Sequence, residues 1–172
     1  MAVGVSEKRV DAFDKVTGRA KYTDDMADRS ALIAKVCRST VAHGYVKSID
    51  VSQAEKITGV VKIITCFDVP ERPFPTAGHP WSTDPAHQDV ADRLLLNRHV
   101  RYYGDDVAAV VATDEVAAAE AVRAIKVEYD ELPFVLDQIE AMKDGAPLLH
   151  DEFKNNILAH TSYADGDFDA AI

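Results

Sequence analysis

The sequence predicts an α+β fold in which a mixed β-sheet carries two strand–helix–strand units. Three observations point there. Apolar, β-branched runs of strand length recur at residues 31–38, 60–66 and 107–112. Between residues 113 and 126, Ala118, Ala121, Val122 and Ile125 fall at i, i+3, i+4 and i+7, one stripe of a helix lying on a sheet. Directly afterwards Ile125, Val127 and Tyr129 alternate with Lys126 and Glu128, so the period drops to two and a strand with one wet face follows.

Taken in order, residues 9–25 begin with a turn at Gly18 and continue as an extended segment around Ala20–Tyr22. Residues 31–38 form a strand. Residues 45–51 form a second, although Val46, Ile49 and Val51 share a face only roughly. Ser52 and Glu55 have the spacing of a capping box, and Gly59 offers a left-handed stop after about two helical turns. The strand 60–66 completes the first unit.

Residues 69–92 change character. Pro70, Pro73, Pro75, Pro80 and Pro85 interrupt any ladder, and Phe74, Gly78, His79, Trp81 and His87 are scattered among them. So long a loop is expected either to contact another domain or subunit or to be a mobile surface loop. The second unit opens with 107–112, apolar enough to be covered on both faces. Thr113 is placed as helix N-cap, with Asp114 and Glu115 at the positive end of the dipole and Arg123 and Lys126 near the negative end. A short helix at 136–142, a turn at 144–147 and a weak strand at 157–162 follow. The final residues, 166–172, read as a helix opening cut after one turn, from which the chain is expected to be a piece of a longer protein.

With 172 residues, 47% hydrophobic and 28% charged, the chain fits a single globular domain over 1–172. A net charge of −10 without any basic stripe argues against nucleic acid as a partner. No apolar run reaches the ~20 residues of a membrane span, and the N-terminus has no signal-peptide core, so a cytoplasmic setting without membrane contact is expected. Cys37 and Cys66 lie in apolar strands, as buried thiols do.

Groups capable of chemistry are scattered. His79 and His87, with Asp84 and Asp89 nearby, are spaced too loosely for a metal site. His43 precedes Gly44 in a turn, and His99, His150 and His160 have no Ser or Cys partner in a recognisable arrangement. The acidic pairs Asp24-Asp25, Asp105-Asp106 and Asp130-Glu131 sit at strand ends or turns, where carboxylates cap and solubilise. Phosphate loops and Cys-x-x-Cys are missing, and two cysteines cannot ligate an iron–sulfur cluster. The expectation is no catalytic, no cofactor-binding and no metal-ligating residue in this chain.

Four stretches carry a family resemblance. They are Arg9-Val-Asp11 with Lys15-Val-Thr-Gly18 and Tyr22; Ala42-His-Gly44 before Ile49-Asp50; Gly59-Val60 with Asp68-Val-Pro70; and Tyr103-Gly104 with Val107-Ala108, running on to Val127-Glu-Tyr129 and Leu132-Pro133. Pro147 with His150 adds to them. Together they resemble the N-terminal a/b hammerhead domain of the molybdenum hydroxylases, the xanthine dehydrogenase and aldehyde oxidase family. One departure is Ser39-Thr-Val-Ala-His43, where Ser-Pro-His-Ala-His is common.

The resemblance implies part of the molybdenum-binding subunit of a xanthine dehydrogenase-type oxidoreductase, which hydroxylates purines with oxygen from water. It further implies a parent enzyme with molybdenum–pterin, iron–sulfur clusters and FAD, none of them held by this chain. The implied partners are the remaining molybdenum-binding domains of the same subunit and the iron–sulfur and FAD subunits or domains. Carbon monoxide dehydrogenase, aldehyde oxidoreductase and hydroxybenzoyl-CoA reductase share the domain. A free-standing binding module is the alternative from outside the family.

Overall fold

The computed structural model describes residues 3–28, 30–74, 92–158 and 165–166. It has two compact units, Met1–Leu32 and Ile33–Ile172. In the first, α1 spans Ala12–Val16 and a 3-10 turn spans Thr23–Met26. The sequence reading did not anticipate α1. Asp11 frames it by pairing with Arg9 at 2.6 Å and with Lys15, one turn on, at 2.7 Å. Thr17 closes it, its hydroxyl donating to the Phe13 carbonyl at 2.7 Å. Such pairs act over one turn and leave no apolar period to read. Tyr22 is extended, as expected.

In the second unit the described strands are β1 (Ile33–Arg38), β2 (Gly44–Asp50), β3 (Val60–Thr65), β4 (His99–Val100), β5 (Asp106–Ala112) and β6 (Lys126–Glu131). Odd-numbered strands form one sheet, ordered β1-β5-β3, and even-numbered strands another, ordered β4-β2-β6. Pairing is antiparallel throughout these ladders. Each successive strand therefore changes sheet. Both strand–helix–strand units exist, but each links the two sheets: β2 to β3 through a 3-10 turn at Ala54–Lys56, and β5 to β6 through α2 (Glu115–Ala124). The strands thus occupy two antiparallel sheets instead of sharing one mixed sheet. Ile33 meets Ala112 and Gly44 meets Glu131, pairings too distant in sequence for local pattern to announce.

Strand β5 is the middle of its sheet and buries Val107, Ala108, Val110 and Ala112. Helix α2 lays Ala117, Ala118 and Ala121 on that sheet, and these small residues allow the close approach. Ile125 closes the stripe at the helix end, with Val122 packed at its edge. Asp114, not Thr113, is the N-cap, because its Oδ1 accepts from the Ala117 N–H at 2.9 Å. Thr113 instead donates its backbone N–H to the Gly59 carbonyl at 2.8 Å. Gly59 has φ +96°, and a Cβ there would lie 2.8 Å from Thr113 Oγ1, so the expected left-handed stop is also a point of close packing.

Val46 and Ile49 are both turned inward although three residues apart, because the β2–β6 register shifts between Val46 and Ser48. A bulge of this kind resets the alternation. Fully buried Val46, Val100, Val107 and Val110 join the two sheets in one core, each contributing about 1.5–3 kcal/mol by leaving water. The two-turn helix expected after Ser52 is instead the three-residue 3-10 turn, with no side-chain cap. Asp50 Oδ1 captures the Ser52 N–H at 2.9 Å, and this Asx interaction displaces the capping box. Helix α3 (Gln138–Ala141) is shorter than expected and starts at Asp137, which accepts from the Ile139 and Glu140 N–H groups. Ile157 and Leu158 are not in a strand. Residues 75–91, 159–164 and 167–172, with the rest of the proline-rich loop and the proposed terminal helix, lie outside the described residues.

Candidate functional site

The even-numbered sheet carries a group of close-set ionisable side chains. His43 ends the β1–β2 connection and is 5% exposed. The next residue has to be glycine, since a Cβ on Gly44 would sit 2.6 Å from the Asp130 carbonyl oxygen of β6. That close approach brings His43 Nδ1 to 2.9 Å from the Pro133 carbonyl beyond β6. A carbonyl only accepts, so Nδ1 carries the proton and donates. His43 Nε2 then faces His99 Nε2 at 3.2 Å. His99 Nε2–H then donates to His43 Nε2, and His99 Nδ1 has no partner among the described residues.

The ring centroids of His43 and His99 are 5.3 Å apart with the planes 22° from parallel, and Tyr45, the register partner of His99, stacks on His99 at 4.3 Å. Burial is the first cause that drives the His99 pKa down to about 4, and the positive charge of Arg101 and the neighbouring His43 and His150 add to it, against Asp151. Neutral His99 is the form this surrounding selects. The chain of bonds Pro133–His43–His99 thereby stitches β6, β2 and the short edge strand β4 together.

An open cleft of about 690 Å³ adjoins the pair. Its charged lining is balanced: Lys47, Arg98 and Arg101 against Glu71, Asp92 and Asp130. Arg101 Nε donates to the Leu149 carbonyl at 3.2 Å, and His150 Nε2 lies 2.8 Å from Asp92 Oδ2. Arg101 is thus engaged with backbone and Asp92 with His150, and with three charges of each sign the cleft does not single out a phosphate or a cation.

Asp105 caps a turn, as expected of the acidic pairs, but does so from a buried position. It is 3% exposed, and three donors converge on it: Asn97 Nδ2 at 2.7 Å, the Asp106 N–H at 3.0 Å and the Arg101 N–H at 3.2 Å. Burial raises its pKa, and those hydrogen bonds oppose the rise. It staples the turn between β4 and β5. Asp25 fits the capping role, accepting from the Tyr22 N–H, whereas Asp130 and Glu131 lie on exposed positions of β6.

Cys37 and Cys66 are free and buried, with pKa values raised by burial, that of Cys66 to about 11. Among the described residues no three His, Cys, Asp or Glu side chains converge as metal ligands. No described helix is long and apolar enough to cross a membrane. His79, His87, Asp84, Asp89, Trp81 and His160 fall outside the described residues. The sequence reading took His43 and His99 separately and missed their pairing. They stand 56 positions apart, and only the β2–β4 pairing brings them together.

Comparison with known proteins places this geometry. Residues 17–133 match the family described as aldehyde oxidase and xanthine dehydrogenase, a/b hammerhead domain. The xanthine dehydrogenase molybdenum-binding subunit of Escherichia coli is 44% identical over 164 residues, 95% of this chain and 22% of the relative. Two solved structures are similar. The carbon monoxide dehydrogenase of Oligotropha carboxidovorans has 32% identity and a TM-score of 0.68 over 84% of this chain and 17% of that one. The aldehyde oxidoreductase of Desulfovibrio gigas has 31% identity and a TM-score of 0.69 over 84% of this chain and 16% of that one. The chain thus spans about a fifth of the length of the relatives it matches. On its match over residues 17–133, with the two-sheet fold agreeing, the chain belongs to the aldehyde oxidase and xanthine dehydrogenase family, as its a/b hammerhead domain.

Proposed function

We propose that this chain is the hammerhead portion of the molybdenum-binding subunit of a xanthine dehydrogenase-type hydroxylase, which adds oxygen from water to a purine in the cytoplasm. The observation that carries this reading is the 44% identity across 95% of the chain to a xanthine dehydrogenase molybdenum-binding subunit. The parent enzyme would use molybdenum–pterin, with iron–sulfur clusters and FAD in partner subunits or domains.

The described residues do not suit a directly ligated metal ion or an iron–sulfur cluster. They offer no converging triad of metal ligands, and both thiols are buried with raised pKa values. No step of the reaction is therefore assigned to this chain. Its polar side chains work inside the fold: His43 and His99 bond to each other, and Asp105 accepts three hydrogen bonds. The role supported is a rigid scaffold for a reaction centre built elsewhere in the same subunit.

The test is the full-length polypeptide, co-expressed with its partner subunits. It should hold stoichiometric molybdenum and pterin and convert xanthine to a product that takes its oxygen from isotopically labelled water. A preparation without molybdenum, or purine oxidation by residues 1–172 alone, would overturn the proposal. The likeness to carbon monoxide dehydrogenase and aldehyde oxidoreductase, at 31–32% identity, favours a second reading in which the substrate is not a purine. The substrate profile of the same preparation separates the two.

A further inference from the structure

We infer that the outward face of residues 134–158 is the seat of another portion of the same polypeptide, docked by apolar contact. The inference deepens the scaffold reading and rests on it, since it requires the chain to be part of a longer subunit.

The face is built from large apolar side chains that are exposed among the described residues. Leu136 is 81% exposed and Ile139 55%, and Phe134, Met142, Ile157 and Leu158 are also exposed. Single apolar residues on a surface are ordinary, but a contiguous set marks a contact site. Here Leu136, Ile139, Met142, Ile157 and Leu158 line one shallow groove of about 650 Å³.

The groove is held in shape by polar bonds beneath it. Asn155 and Asn156 both adopt left-handed backbone, with φ 55°. That conformation is uncommon outside glycine and is best tolerated by asparagine. Asn156 Nδ2 donates to the Ala141 carbonyl at 3.0 Å and to the Pro147 carbonyl at 2.9 Å, while its Oδ1 accepts from the Leu149 N–H at 2.9 Å. Asn155 Nδ2 donates to the Met142 carbonyl at 2.8 Å. The last turn of α3 and the segment after it are thus tied together from below, and the apolar side chains point out from a fixed base. Surfaces ordered before contact bind with less entropic loss.

The occupant follows from length and area. The chain makes up 22% of its xanthine dehydrogenase relative, so most of such a subunit lies outside these residues. The groove residues fall well short of the roughly 20–30 residues per side of a free-standing interface. A covalently tethered domain needs fewer, because the link supplies a high effective concentration. A segment of the same polypeptide presenting Leu, Val or Phe side chains fits both constraints better than a second copy or a separate protein.

The experiment is thiol labelling of the full-length protein carrying Leu136→Cys, read at that site by peptide mass spectrometry. The native thiols of this chain, buried and with raised pKa values, give little background. The expected result is labelling at least tenfold slower in the native protein than in denaturant, independent of protein concentration. Labelling at the denatured rate overturns the inference, and so does protection that fades on dilution, which points to a second molecule. Molybdenum content and purine oxidation are measured on the same sample. An active, molybdenum-loaded enzyme with an open L136C thiol defeats the docking surface alone, whereas a protected thiol in a protein without molybdenum defeats the scaffold function alone.

Discussion

His43 and His99 face each other through their Nε2 atoms at 3.2 Å, and the Pro133 carbonyl sets which of the two donates. Burial of His99 makes the edge strand β4 sensitive to acid. A proton added to Nδ1 of His99 creates a cation beside Arg101 in a half-buried position. The native pKa is about 4 and the unfolded value about 6.5, so between those pH values the unfolded chain binds more protons. Stability contributed by neutral His99 is complete above pH ~6.5 and is lost as the pH falls towards 4. Allowing for partial solvent exposure, the loss between pH 6.5 and 4.5 is about 1–2 kcal/mol. Urea unfolding at both pH values should show it, and His99→Phe, which keeps the stack on Tyr45, should flatten this part of the profile.

Asp105 predicts an effect of opposite electrostatic sign. Burial raises its pKa, so its ionisation opposes stability as pH rises through the native value, yet the ionised group is what three donors require. In Asp105→Asn the amide NH₂ must face one of those donors. The variant should lose about 1–3 kcal/mol at pH 7 despite removing a buried charge. A denaturation midpoint at or above that of the parent protein would show that charge burial outweighs the hydrogen bonds.

How much could be read from the sequence depends on where each signal is stored. The strand at Val107–Ala112, the stripe Ala118–Ala121–Ile125 and the alternation Val127–Tyr129 each carry their periodicity locally, and the structure places all three as read. Partnership between strands is not local. The change of sheet at every step leaves no hairpin among the described strands for a turn motif to announce, and the His43–His99 pair depends on that long-range pairing. Where two local signals competed, the nearer acceptor won: Asp50 took the Ser52 N–H before Glu55 could complete a capping box. The uneven spacing of Val46 and Ile49 was a true sign of the β2 bulge, visible as an irregularity without its cause.

Gly44 tests whether the histidine pair depends on the close approach of β2 to β6. A Cβ placed 2.6 Å from the Asp130 carbonyl forces the strands apart at the very residue that follows His43. Gly44→Ala should cost about 1–3 kcal/mol, as overpacking does, and should lengthen the His43–Pro133 and His43–His99 bonds. Nitrogen chemical shifts of the two imidazoles report the bonds directly. Unchanged shifts with lowered stability would mean that the strain is absorbed elsewhere in β6.

Asn156 supplies the remaining prediction, because one side chain holds three backbone groups of the segment below the apolar groove. Asn156→Ala removes two donors and an acceptor and places alanine at φ 55°, where it gains nothing from a local bond. Hydrogen bonds of this kind contribute about 1 kcal/mol each, so the local cost is about 2–3 kcal/mol. Because α3 spans only four residues and draws little stability from its own hydrogen bonds, that cost falls on the segment before it reaches the sheets. Amide exchange at Leu149 and across α3 should accelerate by more than tenfold while exchange in β5 stays near the parent rate. Equal acceleration in β5 would mean that the segment unfolds only together with the core.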